Sequence, residues 1–273
     1  MQPDDEERQE QFLELLLALA LSAEKNVVRG IRSEFLDAMR RLRRLAQRMS
    51  PDGEFRQYEW RELRRQAPEL IYPAIAAMAV ELLPVLKDLA EPVQQYAQDY
   101  VNIENIPASE PDDIFLLTTT MIAGVPLIKL LGPQGNLTQS LFNFLDKSVS
   151  VGLLRGDTTA QIANQILALT TRNGKVVPRV ATGSFASKAS AQIKNTLSSS
   201  VWSAVNNNLI TAWRPVEARW IWIAQLDERV CPICSQLDGK IVPKPTSFVS
   251  TTFGIRQPPV HPNCRCAIMP LLT

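Results

Sequence analysis

Apolar and polar positions recur with helical period along most of the first half of the chain. Residues 9 to 49 contain no proline and one glycine, and a single helix is expected there. Beyond Arg29 its two faces separate. At about 100° per residue, Ile31, Phe35, Leu42, Leu45 and Met49 share one side. Arg29, Arg32, Arg40, Arg43 and Arg44 share the other. The turn signal "SPDG" at Ser50 to Gly53 ends the helix. Residues 54 to 100 keep the helical period, with breaks expected at Pro68, Pro73, Pro84 and Pro92. "NIENIPASEPDD" reads as a loop or linker, and a helix is expected from Asp113 to Leu131. "GPQGN" then makes a tight connection into the apolar period of "LTQSLFNFLDKSVSVGLLRGD". In "GDTTAQIANQILAL", Asp157 or Thr158 stands where a cap belongs, before a face of Ile162, Ile166 and Leu169. "TRNGKVVPRVATGS" breaks that helix. "SKASAQIKNTLSSSVWSAVNNNLITAW" reads as another long one, small and polar over much of its surface.

After Pro215 the period changes. "ARWIWIAQL" alternates, Trp220 and Trp222 against Ile221 and Ile223, which is a strand pattern. "LDGKIV" carries a turn at Asp238-Gly239 into a second short strand. Eight of the nineteen prolines lie between Pro215 and Pro270, so this part is rich in loops. The expected fold class is α+β. A helical region of unassigned role fills 1–150, further helices fill 151–215, and a small β-hairpin module fills 216–273.

The chain is long enough for one large domain or two ordinary ones. It is 45% hydrophobic and 21% charged with a net charge of +1, so global charge points to no partner. The start, "MQPDDEERQE", is acidic and polar, unlike a secretory signal. No run reaches the roughly 18 apolar residues of a membrane span. The nearest, "LIYPAIAAMAVELLPVL" and "IFLLTTTMIAGVPLIKLLG", include Glu81 and Lys129 and read as buried core helices. No stable membrane span is expected, and synthesis is expected in a cytoplasm, where paired cysteines more often mean metal than disulfide. Local charge is less even: residues 29 to 65 hold eleven arginines against six acidic residues. A solvated helix face is one reading. Contact with DNA or an acidic protein surface is the other, since the forked guanidinium suits phosphate and carboxylate.

All four cysteines and the only histidine lie between Cys231 and Cys266. A small loop-rich module needs a staple, and a structural metal is one. Cys231-x2-Cys234 has knuckle spacing, His261-x2-Cys264 repeats it, and Cys266 follows. Zinc takes four such donors in a tetrahedron. Four of the five are therefore expected to bind a structural zinc: Cys231, Cys234 and His261 with one of Cys264 or Cys266. In an extended segment Cys264 and Cys266 point to opposite faces. A disulfide pair and free buried thiols are the competing readings. Catalytic patterns are missing. There is no H-E-x-x-H, no histidine-glutamate pair ahead of a P-C-x-x-C, and no Gly-rich phosphate loop. No enzyme is expected.

The signature "WIAQLDERVCPICSQLDGKIV" followed by "QPPVHPNCRCAIMP" resembles that of the Mu F-like family of phage head morphogenesis proteins, also called minor head or minor capsid proteins. The residues that carry the resemblance are Trp222, Asp227, Arg229, Cys231, Pro232, Cys234, Leu237, Asp238 and Gly239, then Pro258, Pro259, His261, Pro262, Asn263, Cys264, Arg265 and Cys266. It is strong from about Trp220 to Pro270 and weaker from about Val151. Where the family often has Arg-Thr-Glu before the tryptophan, this chain has Asn195-Thr196-Leu197. The resemblance implies a minor structural protein of a tailed-phage head at the portal vertex, supporting head assembly, DNA packaging or DNA delivery. It implies portal or major capsid protein as partners, and the virion as location. Packaged DNA is a second partner, through the arginine-rich helix. Some members of the broad family are joined to toxin or transferase domains, so an enzyme or toxin-fused variant is a third reading. Residues 1–150, where such a function would sit, contain no His or Cys.

Overall fold

The computed structural model describes residues 3–101, 116, 120–122, 125–132, 135–172, 175–213, 217–225, 228, 230–245, 248, 257–261 and 264–271. Within these, the side chains of 3–10, 13, 32, 96–101, 121–122, 169–172 and 175–179 lie outside the description. The expected linker 102–113 and the signature residues Asp227, Arg229, Pro262 and Asn263 lie outside it too.

The chain is α+β, mostly helical with a small antiparallel sheet near its C-terminus. Compactness divides it into two units interleaved in sequence, rather than into consecutive segments. One comprises Met1–Val27, Leu82–Leu127 and Asn195–Thr273; the other comprises Val28–Glu81 and Ile128–Lys194.

Helix α1 runs Pro3–Met49 without a break, as its period predicts. The turn after it uses Gly53 at φ +83, a conformation that costs glycine little. Helix α2, Gln57–Asp88, departs from expectation by continuing through Pro68, Pro73 and Pro84. Each proline costs an interior helix about 3 kcal/mol or more. Against that, Leu63, Ile71, Ile75, Met78, Leu82 and Leu86 are all buried, each contributing roughly 1.5–3 kcal/mol. The apolar stripe outweighs the breakers, and the three prolines lie off it. Pro92 falls in the first turn of α3, Ala90–Val101, where a proline is tolerated. By length and apolarity alone, the stretch Gln57–Gln95 would also cross a membrane; 33% of its most apolar window is buried.

Of the helix expected over 113–131, Leu116 is helical among the described residues, and a short hairpin then leads into one brief helix. Strands β1 (Met121–Ile122) and β2 (Val125–Pro126) pair antiparallel, and α4 spans Leu127–Leu131. Pro126 lacks the amide proton that a helix running through it would use.

In the second unit, α5 (Asn136–Arg155) ends at Gly156, φ 72, whose amide returns to Leu153 O. The Asp157 amide returns to Gly152 O, closing a glycine C-cap. Helix α6 (Thr159–Ile166) starts with a capping box. Thr158 Oγ1 accepts the Gln161 amide and Gln161 Oε1 accepts the Thr158 amide. Of the two caps the sequence offered, Thr158 is the one used. Gly53 O accepts the Thr159 amide, tying the α1–α2 turn to this cap. Strands β3 (Leu169–Arg172) and β4 (Lys175–Val180) form a hairpin where the sequence suggested only a break. Asn173-Gly174 between them is the dipeptide that marks such turns.

Helix α7, Phe185–Ala212, is not the polar-surfaced helix its composition suggested. Ser198, Ser199, Ser200, Ser203 and Asn206 are all fully buried on it. Two of the serines meet their need locally, Ser199 Oγ donating to Asn195 O and Ser200 Oγ to Thr196 O. Past α7 comes a three-stranded sheet of order β6-β5-β7, from β5 (Arg219–Ile223), β6 (Ile241–Val242) and β7 (Ala267–Leu271). The alternation in β5 is the one expected: Trp220 and Trp222 are buried, Ile221 and Ile223 half-buried. Strand β7 adds a third strand to the expected hairpin. It pairs with all of β5, from Arg219 with Leu271 to Ile223 with Ala267.

Candidate metal centre

The knuckle begins as a helix N-terminus. Cys231 is the N-cap of α8, Pro232–Leu237, with Pro232 at the first position, where its missing amide proton costs nothing. Cys231 Sγ accepts the Cys234 amide at 3.3 Å, so the spacing of two residues turns both thiols to one side. The turn that follows locks α8 to the sheet. Asp238 Oδ1 accepts the Ala224 amide at 2.8 Å, the Gly239 amide donates to Trp222 O at 2.8 Å, and Gly239 takes φ +71. The Leu-Asp-Gly of the signature is therefore the fastener between knuckle and strand.

The second pair of donors arrives from the segment before β7. A turn forms there, with the Cys264 amide donating to His261 O at 3.1 Å. Cys264 and Cys266 precede the strand rather than lying in it, so they do not splay to opposite faces as an extended segment would require. Both sulfurs join one group.

The five expected donors fall into two overlapping trios. The sulfurs of Cys231 and Cys234 and a ring nitrogen of His261 lie within 4.8 Å of one another, as do the sulfurs of Cys234, Cys264 and Cys266. Cys234 belongs to both trios. His261 Nε2 is 3.0 Å from Cys231 Sγ and 3.2 Å from Cys234 Sγ, and Cys234 Sγ is 3.8 Å from Cys264 Sγ. Zn–S bonds of about 2.3 Å in a tetrahedron set two sulfurs about 3.8 Å apart. The sulfur pair matches that edge; the sulfur–nitrogen distances are a few tenths shorter than the corresponding edge of roughly 3.5 Å. Each trio is a set of thiolate or imidazole donors of the kind that holds a metal ion. Cys234, Cys264 and Cys266 are buried, while Cys231 and His261 are half-buried at the rim.

Electrostatics make the same point. Burial pushes the Cys231 thiol up, but the Cys234 amide and side chain, His261 and the Ile233 amide outweigh it and hold it below its ordinary value. Deeper in, hydrogen bonds from Cys234 and then Cys266 hold the Cys264 thiol low, while the contact with Cys264 pushes Cys234 up. Buried sulfurs this close disfavour one another's ionisation. A divalent cation between them would let each be a thiolate.

A residue outside the motif holds the donor segment in place. Asn206 of α7 donates from Nδ2 to Trp202 O (2.7 Å) and to Cys266 O (3.1 Å), and its Oδ1 accepts the Ile268 amide (2.9 Å). It thus binds the backbone on both sides of Ala267, where the Cys segment enters β7. One signal could have found it: Asn206 sits four residues after Trp202, within an apolar period that continues at Leu209 and Trp213. Gln257 Nε2 donates to Asn207 Oδ1 at 3.0 Å, and buried Arg265 donates to Gln225 Oε1 at 2.8 Å. The second arginine of the signature is thus a packing element.

The five arginines of the amphipathic helix do not converge. Arg40 pairs with Asp37 at 2.5 Å, and Arg43 donates to Asn164 Oδ1 of α6 at 3.2 Å. Arg29 and Arg44 are exposed, and the side chain of Arg32 is outside the description.

Residues 143–269, just under half of the chain, match the model of the family described as Phage Mu protein F like protein. No curated protein and no solved structure matches the chain.

Proposed function

We propose, from the premise that residues 143–269 are a domain of the Phage Mu protein F like family, that the chain is a minor structural component of a tailed-phage head. On this reading it sits at the portal vertex, contacts portal or major capsid subunits, and supports head assembly, DNA packaging or DNA delivery. Its role is structural and not catalytic. The observation that carries the reading is the ordered signature from Trp222 to Cys266. Its residues divide here into donors (Cys231, Cys234, His261, Cys264, Cys266) and the fasteners that aim them (Asp238, Gly239, Arg265).

In this role the metal is structural zinc. It would be held by four of the five donors, with Cys234 common to both trios, and would supply cross-linking to a module whose sheet has two strands of five residues and one of two. The chain's own residues do the rest. Asn206 and the Asp238-Gly239 turn bring the two halves of the donor set together, and the tryptophans of β5 cover them.

Quantitative mass spectrometry of purified particles tests the head assignment. The chain is expected in a few copies per particle, and particles made with Cys231→Ser are expected to lack it and to lose infectivity. Wild-type particles free of the chain would overturn the assignment.

A further inference from the structure

We propose that the α1–α2 pair of the second unit carries a phosphate-binding groove for the DNA backbone, built from Arg44 of the amphipathic face together with Arg41 and Arg48, which its period does not single out. The inference rests on the head-protein reading for the presence of DNA and on the structure for the site.

Eight of the arginines between residues 29 and 65 fall into two sets; Arg29 and Arg61 are exposed and do not line the groove. Arg40, Arg56, Arg64 and Arg65 are held by carboxylates, and Arg43 by the Asn164 amide. Arg41, Arg44 and Arg48 are exposed, and among the described residues none of the three is held in an ion pair. These three line one cavity of 560 Å³, faced from α2 by Gln66, Glu69 and Leu70. Glu69 is the sole acidic residue of that lining, and its charge also acts on Arg65. A solvated arginine face would spread its charges over a convex helix. Here three exposed ones share one concavity.

Spacing favours a nucleic-acid backbone. Arg41 and Arg48 are seven residues apart on one helix, about 10.5 Å along its axis, with Arg44 between them. One DNA strand presents a phosphate about every 3.4 Å of duplex axis. Three guanidinium forks over that length therefore face about three successive phosphates. The forks stay charged at any relevant pH and bind phosphate oxygens in pairs. Such contacts carry no sequence information, which suits a protein that meets whichever DNA the head contains.

The test is fluorescence anisotropy of the full-length chain with a 20-base-pair duplex across a salt series. Each phosphate contact adds about 0.9 to the slope of log affinity against log salt. The variant R41Q/R44Q/R48Q is expected to lose about 2.7 from that slope and more than tenfold in affinity at low salt. The control R56Q/R65Q, which removes two arginines already held by carboxylates, is expected to keep the wild-type slope. Circular dichroism of both variants should match wild type. An unchanged slope in the triple variant, an equal loss in the control, or no wild-type binding at low salt would overturn the groove. So would a polyglutamate peptide of matched charge displacing the duplex, since the site would then belong to an acidic protein. Particle content reads the head assignment separately: a chain present in particles yet blind to DNA would lose the groove alone.

Discussion

The Cys/His module and the arginine-bearing helices solve opposite problems with charge. In the module, groups that are costly to bury are packed together. Cys234, Cys264 and Cys266 lie in a core with Trp220, Trp222 and Phe248, and only a shared cation lets several of them ionise. Along α1 and α2, groups that are cheap to expose stay exposed, and carboxylates hold some of them, among them Arg40, Arg64 and Arg65. Such surface pairs contribute little. The module should therefore fail as a unit when one donor is lost, whereas the arginine surface should lose stability hardly at all when a pair is broken.

The sharpest test is Cys234→Ser, since Cys234 alone belongs to both trios. Binding free energy at a structural zinc site is folding free energy, on the order of 10 kcal/mol. Elemental analysis under reducing conditions is expected to find about one zinc per wild-type chain and none in the variant. Trp222 fluorescence should report an unfolded module in the variant and in chelated wild type alike. The comparison breaks if the wild-type chain carries no metal, or if its thiols prove to be paired as disulfides.

That contrast also governs what the sequence made legible. Cysteine and histidine have few roles in a reducing compartment, and five of them inside 36 residues leave little freedom. Five candidate donors, four of them expected to bind, could be written from spacing alone. What spacing could not give was the shape of the second donor segment, because a turn at His261 rather than an extended chain sets the direction of Cys264 and Cys266. Arginine is the reverse case. Its pattern marked the helix and its exposed side, yet which arginines are left unpaired depends on Asp37, Asn164, Asp146 and Glu62, two of them about a hundred residues away. Helix caps read well, since the Thr158 box is local. Prolines read badly. Whether Pro68 or Pro84 ends a helix is decided by the burial of Leu63, Ile71 and Leu82, which tertiary packing sets.

A smaller effect separates the metal from the frame that positions its ligands. Asn206→Leu keeps the volume but leaves Cys266 O and the Ile268 amide without their partner. Each buried polar group so orphaned costs about 1–3 kcal/mol. Denaturant unfolding is expected to show a loss of about 3 kcal/mol, with zinc still bound but released by chelator at lower concentration than from wild type. Asn206→Asp should fall between, since it keeps an acceptor for Ile268 and loses the donor to Cys266. If the leucine variant is as stable and as chelator-resistant as wild type, α7 does not hold the donor segment, and the module stands on its metal alone.

The smallest effect lies in the second unit, which does not contain the Cys/His cluster. Gly152 on α5 faces α6 closely: a Cβ built there would stand 2.4 Å from Ile162 Cδ1 and 2.7 Å from Gln165 Oε1. Gln165 has a flexible end and can move away. Ile162 is fully buried and cannot do so cheaply. Gly152→Ala adds the helix propensity of alanine, about 1 kcal/mol in its favour, against overpacking of typically 1–3 kcal/mol. The expected net loss is about 1 kcal/mol. Ile162→Val removes the obstructing Cδ1 atom, so the double variant G152A/I162V should be more stable than the sum of the two single changes predicts. The readout is urea unfolding of all four proteins in a double-mutant cycle. Strict additivity would mean that α5 and α6 do not touch at this point. A chelator titration of the same four should give one common curve, because Gly152 and Ile162 belong to a different compact unit from the cysteines.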